Sequence, residues 1–227
     1  MSYHSFYAII VAGGNGSRMN SDIPKQFLEL NGMPVLMHTI QAFYQNKHQP
    51  QIILVLSESD LALWQQLTEK HQFNIPHQII KGGSERFYSV KNGLSIILKE
   101  SAIVAIHDAV RPLISQKTID NCFKTAIEKG NAIAAIPAKD SIRQLKNGKS
   151  IALKRNEVYL VQTPQAFQIN QLNTAYQQDF DSFFTDDASV VEKAGYHINL
   201  EEGDEFNFKI TFKEDLKLAE TILNLKT

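Results

Sequence analysis

Residues 7–26, YAIIVAGGNGSRMNSDIPKQ, combine an apolar run, a cluster of glycines and two basic side chains. The run from Tyr7 to Ala12 has no polar alternation, which is typical of a central parallel strand covered on both faces. The next positions hold Gly13, Gly14 and Gly16. Without side chains, a backbone can approach a ligand closely and direct its N–H groups at an anion. We therefore predict a buried strand that ends in an anion-binding loop.

This loop does not match the two common nucleotide-binding motifs. A Rossmann fingerprint needs a third glycine where this chain has Met19, and no segment has the Walker spacing G-x-x-x-x-G-K-[ST]. The segment instead carries Arg18 and Lys25. Arginine offers a planar fork of donors to phosphate oxygens, and lysine offers a compact point charge. Phosphoryl chemistry needs such charges where the transition state gathers negative charge, so we predict a phosphate-bearing ligand.

The motifs VAGGNGSRM and PKQF resemble the signature of the sugar nucleotidyltransferases, and most closely that of the 2-C-methyl-D-erythritol 4-phosphate cytidylyltransferases. Matching positions run from Val11 to Thr211, which is nearly the full chain. The resemblance implies a CTP-dependent nucleotidyltransferase of isoprenoid biosynthesis. Such an enzyme joins CTP to a small sugar-alcohol phosphate and releases pyrophosphate. The resemblance also implies Mg²⁺ or another divalent cation, and a homodimer.

Length, charge and cysteine content limit the class of protein. The chain has 227 residues, a formal net charge of −1 and one cysteine, Cys122. A nearly neutral chain has no global attraction to nucleic acid or to an anionic membrane, and one cysteine excludes an internal disulfide. The first apolar run is too short for a membrane span, and nothing before it has the basic region and long apolar segment of a secretory signal. We predict a single domain over residues 1–227, in the cytoplasm, without a nucleic-acid or membrane partner.

Strand-like and helix-like segments alternate along nearly the whole chain. This order predicts an α/β protein with a Rossmann-like three-layer fold, in which helices cover both faces of a mostly parallel, twisted sheet. One segment departs from the alternation, because residues 142–146 and 150–153 flank Asn147-Gly148, a strong signal for a β-hairpin. A two-stranded hairpin buries little surface by itself, so it needs a partner surface.

The hairpin belongs to a predicted protruding β-arm at about residues 138–156. The resemblance implies that this arm reaches across a dimer, so that Ser141 and Arg155 belong to the neighbouring subunit's sugar-phosphate site. The family more often has threonine at the position of Ser141, and serine keeps the hydroxyl. The alternative is an ordinary surface hairpin.

Two further strands are predicted to end near the glycine loop. Gly82-Gly83 and Asp108 each follow an apolar strand-like run. The carboxyl edge of an open α/β sheet is where ligands bind. A carboxylate at this edge can hold Mg²⁺ or a hydroxyl, although Asp108 could equally be a loop residue paired with Arg111. His107 has no serine elbow beside it, so a hydrolase triad has little support.

The resemblance implies a role for each matching position. The transition-state stabilisers are Arg18 and Lys25. The nucleotide-binding residues are Ala12, Gly13, Gly14, Gly16, Gly83, Ser89, Asp108 and Lys209, with Gly83 and Ser89 beside the cytosine. The substrate-binding residues are Arg111, Ser141, Arg155 and Thr163, and Asp108 is also the candidate metal ligand.

The segment Thr185-Asp186-Asp187 precedes a late helix. We predict that Thr185 is the N-cap, because threonine accepts from the free N–H groups of the first turn, where acids also suit the helix dipole. Capping is then a sufficient explanation for Asp186 and Asp187, and neither is predicted to bind metal.

The implied reaction needs no general base, because the attacking substrate phosphate is already an anion at neutral pH. We expect direct in-line attack on the α-phosphate of CTP, with positioning and charge neutralisation as the main sources of rate. Three alternatives stay open. They are a ribitol 5-phosphate cytidylyltransferase, a nicotinamide dehydrogenase with Glu58 as its ribose ligand, and a non-catalytic nucleotide-binding protein of the same fold.

Overall fold

The computed structural model describes residues 4–13 and 23–225 of the chain. Its strands are β1 (Ser5–Val11), β2 (Glu29–Leu30), β3 (Met33–Pro34), β4 (Gln51–Leu56), β5 (Gln78–Lys81), β6 (Ala102–Asp108), β7 (Asn131–Pro137), β8 (Arg143–Lys146), β9 (Lys149–Ala152), β10 (Tyr159–Gln168) and β11 (Leu200–Glu202). Its α-helices are α1 (Val35–Tyr44), α2 (Leu61–Lys70), α3 (Arg86–Leu94), α4 (Gln116–Lys129), α5 (Ile169–Ala175), α6 (Asp187–Lys193) and α7 (Lys213–Leu225). Within the described ranges, no helix is long and apolar enough to cross a membrane.

The main sheet has seven strands in the order β11-β7-β10-β6-β1-β4-β5. Strand β1 is an interior strand and pairs in parallel with both β4 and β6, as its continuous apolar run predicts. The one strand that runs against its neighbours is β10, which is antiparallel to β6 and β7. The prediction of a mostly parallel sheet is therefore confirmed.

Helices cover both faces of this sheet and complete three layers. On one face, α1, α2 and α4 contribute Leu36, Trp64 and Phe123 to a buried apolar cluster. On the other face, α3, α5 and α6 contribute residues such as Phe87 and Leu172 to a second cluster. Burial of apolar side chains on both faces stabilises the sheet by the hydrophobic effect, and it confirms the predicted three-layer fold.

The predicted β-hairpin is present and stands away from the sheet. Asn147 and Gly148 have positive φ angles of 50° and 73°, as a tight two-residue hairpin turn requires. Every residue of β8 and β9 is exposed, including Leu145, whose relative exposure is 76%. The hairpin therefore finds no burying partner within the described part of this chain.

The parallel strands bring three loops to one edge of the sheet. The register pairs Val11 at the end of β1 with Val55 in β4 and with Asp108 at the end of β6. Gly82 follows β5 directly and donates its N–H to the carbonyl of Leu56 at 2.7 Å. The carboxyl ends of β1, β4, β5 and β6 therefore meet, as predicted from the strand-ending motifs.

Candidate active site

A cleft of about 640 Å³ lies at this carboxyl edge of the sheet. Seven of the predicted site residues line it: Ala12, Gly13, Lys25, Gly83, Ser89, Asp108 and Lys209. Gly14, Gly16 and Arg18 lie outside the described residues. The remaining predicted residues, Arg111, Ser141, Arg155 and Thr163, are not among the residues that line the cleft.

Lys25 reaches the cleft from a short turn of 3₁₀-helix at Lys25–Phe27. The neighbouring Gln26 is buried, and its Nε2 donates to the carbonyl of Ala12 at 3.0 Å and to Asp60 Oδ2 at 3.1 Å. This side chain joins the Lys25 turn to the end of β1, so that the cation and the start of the glycine loop are held together. Sequence reasoning missed this role of Gln26, because its two partners are distant along the chain.

The second glycine turn is organised by Ser89 on α3. Its hydroxyl accepts from the N–H of Gly83 at 3.0 Å and donates to the carbonyl of Glu85 at 3.1 Å. A Cβ added to Gly83 would lie 2.3 Å from the Cβ of Tyr88, which no side chain tolerates, so this position requires glycine. The turn is therefore packed closely against the start of α3.

Asp108 forms the charged centre of the cleft. Its Oδ2 lies 3.0 Å from Arg111 Nε and 3.2 Å from Lys209 Nζ, and its Oδ1 lies 4.0 Å from Arg86 Nε. Burial alone would raise the pKa of Asp108, but Lys209, Arg86 and Arg111 outweigh it and hold that pKa well below its usual range. The carboxylate therefore stays ionised near neutral pH, and it has no proton to donate as a general acid.

Arg111 lies behind Asp108 rather than in the cleft. Its Nε donates to Asp108, and its Nη1 donates to the backbone carbonyl of Asn207 at 2.8 Å. Its side chain is 11% exposed. The pairing of Asp108 with Arg111 that the sequence left open is thus present, and Arg111 links the carboxylate to the backbone at Asn207.

Arg86 and Asp187 form a buried ion pair that sequence reasoning missed. The carboxylate of Asp187 is fully buried and accepts from Arg86 Nη1 at 2.7 Å, from Arg86 Nη2 at 2.6 Å and from the Tyr176 hydroxyl at 2.6 Å. Burial would lower the pKa of Arg86, but Asp187 outweighs it and keeps the guanidinium charged. Arg86 also lines the cleft, so this pair supports its wall.

The prediction of Thr185 as N-cap is wrong. Asp186 is the N-cap of α6, and its side chain accepts from the N–H of Ser189 at 2.9 Å. Aspartate is a strong N-cap, so the cap lies one residue later than predicted. Capping explains Asp186 but does not explain Asp187, because the carboxylate of Asp187 turns into the protein toward Arg86.

Thr163 and His107 lie beneath Asp108 and are both buried. The Thr163 hydroxyl contacts the backbone N–H of Asp108 at 3.1 Å and His107 Nδ1 at 2.9 Å. Burial lowers the pKa of His107 to about 4, so the ring is neutral near neutral pH. Thr163 therefore contacts the residues that support the cleft, and its substrate contact stays a prediction.

The comparisons with known proteins agree over the whole chain. The family model described as 2-C-methyl-D-erythritol 4-phosphate cytidylyltransferase matches residues 6–225. The chain belongs to this family. A 2-C-methyl-D-erythritol 4-phosphate cytidylyltransferase from Bacteroides fragilis is 47% identical over 216 residues, which cover 95% of this chain and 98% of the relative. One from Bacillus velezensis is 37% identical over 226 residues, covering 98% and 97%.

A solved structure of the same family has the same fold. The 4-diphosphocytidyl-2C-methyl-D-erythritol synthase from Anaerococcus prevotii is similar with a TM-score of 0.83 and 27% sequence identity, covering 97% of this chain and 99% of the other. The resemblance that the motifs predicted is thereby confirmed, and the enzyme class is that of the cytidylyltransferases. A nicotinamide dehydrogenase does not fit this result.

Two positions that the cytidylyltransferase resemblance singled out lie on the arm. Ser141 and Arg155 are both exposed, and Arg155 Nη1 donates to the carbonyl of Lys139 at 2.9 Å. Neither side chain lines the cleft of its own chain. For either side chain to contact a ligand in such a cleft, the cleft would have to belong to another copy of the chain, or the arm would have to adopt another conformation.

Three carboxylates line the cytidylyltransferase cleft, those of Glu58, Glu85 and Asp108, and Asp108 is the one that the resemblance singles out as a candidate metal ligand. Among the described residues, no group of three or more His, Cys, Asp or Glu side chains could hold a metal ion. Mg²⁺ is commonly held by one or two carboxylates together with substrate phosphates and water, rather than by a complete protein cage. An ionised, cleft-lining Asp108 fits that kind of site.

Proposed function

We propose that this chain transfers a cytidylyl group from CTP to 2-C-methyl-D-erythritol 4-phosphate, forming 4-diphosphocytidyl-2-C-methyl-D-erythritol and pyrophosphate. One observation carries the proposal: in a chain matched by the family model over residues 6–225, Lys25, Asp108 and Lys209 converge on a single cleft beside two glycine turns. A cleft of this size suits a nucleotide with a small co-substrate.

The reaction is a direct displacement at phosphorus. A phosphate oxygen of the substrate attacks the α-phosphorus of CTP, and the bond from that phosphorus to the bridging oxygen of pyrophosphate breaks. The nucleophile is already an anion, so no side chain has to remove a proton. The cleft has to bring two anions together, and we propose that Lys25 and Arg18 neutralise the charge that develops on the α-phosphate.

The nucleotide is proposed to bind along the two glycine turns. The loop formed by Ala12, Gly13, Gly14 and Gly16 would offer backbone N–H groups to the phosphates, and Lys209 would add a cation on the opposite wall. Gly83 and Ser89 would contact the cytosine. Both residues line the cleft, which supports this assignment.

Asp108 is the residue that we propose for binding Mg²⁺. When bound, the ion would neutralise charge on the triphosphate. The protein's own contribution is an ionised carboxylate held in place by three cations, Arg86, Arg111 and Lys209. Because Arg111 and Thr163 contact Asp108 and its backbone, we propose that they act on the substrate through Asp108.

We propose that residues 1–227 form one domain, in the cytoplasm, and that the arm at about residues 138–156 mediates a homodimer. Exposed apolar side chains on and beside the arm, such as Leu145, Ile151 and Leu160, support an interface there. In such a dimer Arg155 and Ser141 would contact the substrate phosphate in the partner's cleft.

Mixing two inactive variants tests whether the arm acts in the partner's cleft. If Arg155 serves the partner, co-expressed Lys25→Ala and Arg155→Ala chains form heterodimers in which one site has both defects and the other has none. Random pairing in a two-fold dimer then restores about one quarter of the wild-type activity. Mixtures that stay at the level of the separate variants would show that Arg155 acts within its own chain or has no role.

Pyrophosphate release by the full-length protein tests the proposed function. We expect turnover with CTP and 2-C-methyl-D-erythritol 4-phosphate in the presence of Mg²⁺, and loss of turnover when EDTA removes the ion. Parallel reactions contain UTP, ATP or GTP in place of CTP, and ribitol 5-phosphate in place of the methylerythritol phosphate. Turnover with ribitol 5-phosphate alone would keep the chemistry but change the substrate. A folded protein that is silent in every combination would favour the binding-protein alternative.

A further inference from the structure

Below the floor of the cleft, four polar groups form one chain of hydrogen bonds. The backbone N–H of Asp108 donates to Thr163 Oγ1 at 3.1 Å, Thr163 Oγ1 lies 2.9 Å from His107 Nδ1, and His107 Nε2 lies 3.2 Å from the carbonyl oxygen of Arg111. His107, Asp108 and Thr163 have relative exposures of 0%, 8% and 5%. The proposed chemistry gives His107, at the centre of these hydrogen bonds, no role.

The partners determine where each proton lies. The N–H of Asp108 can only donate and the carbonyl of Arg111 can only accept. His107 Nε2 must therefore carry a proton, since an unprotonated nitrogen would face the lone pairs of the carbonyl. The ring is fully buried and packs against Phe43, so we take it as neutral, because an unpaired buried charge is costly. Nδ1 is then an acceptor, and the Thr163 hydroxyl donates a hydrogen bond to it. The direction is Asp108 N–H to Thr163 O–H to His107 Nδ1, and His107 Nε2–H to Arg111.

Thr163 takes this position because the sheet ladder stops short of Asp108. The antiparallel pairing of β6 with β10 ends at Ile106 and Gln165, and the pairing of β10 with β7 shifts register between Val161 and Gln165. The N–H of Asp108 therefore has no backbone acceptor from β10. The Thr163 hydroxyl supplies the missing acceptor, and a buried N–H left without one would be costly.

His107 also shapes the turn that follows Asp108. His107 donates to the carbonyl of Arg111 and so stabilises this turn. Within the turn, the backbone N–H of Arg111 donates to the carbonyl of Asp108 at 3.2 Å. In that turn the Arg111 side chain reaches back to Asp108 Oδ2. The ring packs against Phe43, with ring centroids 4.9 Å apart, which excludes water from its other side.

We propose that His107 and Thr163 act together as positioning residues that hold the carboxylate of Asp108 at its place in the cleft. The ring contacts the Thr163 hydroxyl and the Arg111 carbonyl, and neither contact passes a proton to the reacting phosphates. This inference rests on the proposed function only in assuming that Asp108 takes part in the reaction. It assigns a task to a buried histidine that the displacement chemistry leaves unused.

Kinetics of two variants and a control test the positioning role. Thr163→Val keeps the shape but removes the hydroxyl, and His107→Gln can keep a donor to Arg111 while removing the acceptor at Nδ1. We expect each to lower kcat by about 10- to 100-fold, as for a misplacement of about 1 Å, with little change in the KM for CTP. Thr163→Ser, which keeps the hydroxyl, should recover most of the kcat.

The matched control is Thr125→Val on α4. Thr125 is also a buried threonine, and its hydroxyl donates to Glu201 Oε2 at 2.7 Å, but it does not line the cleft. We expect it to lower the melting temperature without changing kcat. If Thr163→Val and His107→Gln also keep the wild-type kcat, or if Thr163→Ser is as impaired as Thr163→Val, the positioning role is refuted.

Side-chain NMR on the wild-type protein keeps the test independent of activity and of variant folding. In full-length protein labelled with ¹⁵N-histidine, His107 should show the neutral form with its proton on Nε2 and a hydrogen-bonded, unprotonated Nδ1. A proton on Nδ1 would overturn the proposal even in an active enzyme. If the protein has no cytidylyltransferase activity but His107 shows a neutral ring protonated on Nε2, the hydrogen bond between Thr163 and His107 is supported and the proposed function is refuted.

Discussion

Lys25→Ala should lower kcat by about two to three powers of ten while leaving the fold intact, because one preorganised donor to the transition state is removed. Lys25 lines the cleft beside Ala12 and Gly13, where the α-phosphate of CTP is proposed to lie. The turn that carries it is anchored by the buried side chains of Gln26 and Phe27. The alanine therefore removes the charge without removing the anchors.

Steady-state kinetics and a thermal melt separate the chemical role of Lys25 from a structural one. Lys25→Arg keeps a positive charge and should recover part of the kcat, although its planar fork does not reproduce the geometry of the ammonium group. Lys70→Ala is a suitable control, because this exposed lysine pairs with Glu29 outside the cleft and should leave kcat unchanged. Near-normal turnover by a folded Lys25→Ala enzyme would remove Lys25 from the transition state.

The layout of the fold could be predicted because local patterns agree with the tertiary structure. The apolar run at 7–12 predicts a strand buried on both faces, and β1 is a buried interior strand of the sheet. Asn147-Gly148 predicts a tight turn, and both residues take positive φ. Gly83 and Asp108 follow strands that are parallel, so their meeting at one edge is a consequence of topology.

The supports of the cleft could not be predicted in the same way, because they are long-range pairs. Arg86 and Asp187 are 101 residues apart, and Asp187 lies in a first helical turn, where an acid is already explained by the helix dipole. Local rules were satisfied there without a partner, so they gave no reason to look for one. The signal that could have found Arg86 is its place directly after a glycine turn at the ligand-binding edge.

Burial decides what the Arg86–Asp187 pair does for stability. The Asp187 side chain is fully buried, whereas Arg86 is 29% exposed at the cleft wall. Taking a carboxylate out of water is unfavourable, and the two hydrogen bonds from Arg86 together with the one from Tyr176 offset that cost. The pair therefore need not stabilise the fold more than an apolar pair of the same shape would. Loss of one partner alone, however, leaves the charge of the other partner buried without compensation.

Asp187→Asn should lower the free energy of unfolding by about 3–5 kcal/mol, because it keeps the shape and leaves the Arg86 charge without its partner. That is a large share of the roughly 5–15 kcal/mol that stabilises a typical domain. Asp181→Asn is the matched control, since Asp181 pairs with Lys193 at the surface, where solvent screens the interaction and its loss should change the free energy of unfolding far less. Urea unfolding of both variants gives the two values.

The double variant Arg86→Gln with Asp187→Asn tests whether the loss comes from an unpaired charge. Removing both charges should recover part of the stability lost in Asp187→Asn, so that the two substitutions are not additive. Additive losses would mean that Asp187 stabilises α6 by itself and that Arg86 is held in the cleft wall by other contacts. Recovery of stability without recovery of turnover would separate the two tasks of Arg86, which neutralises a buried carboxylate on one side and faces Asp108 on the other.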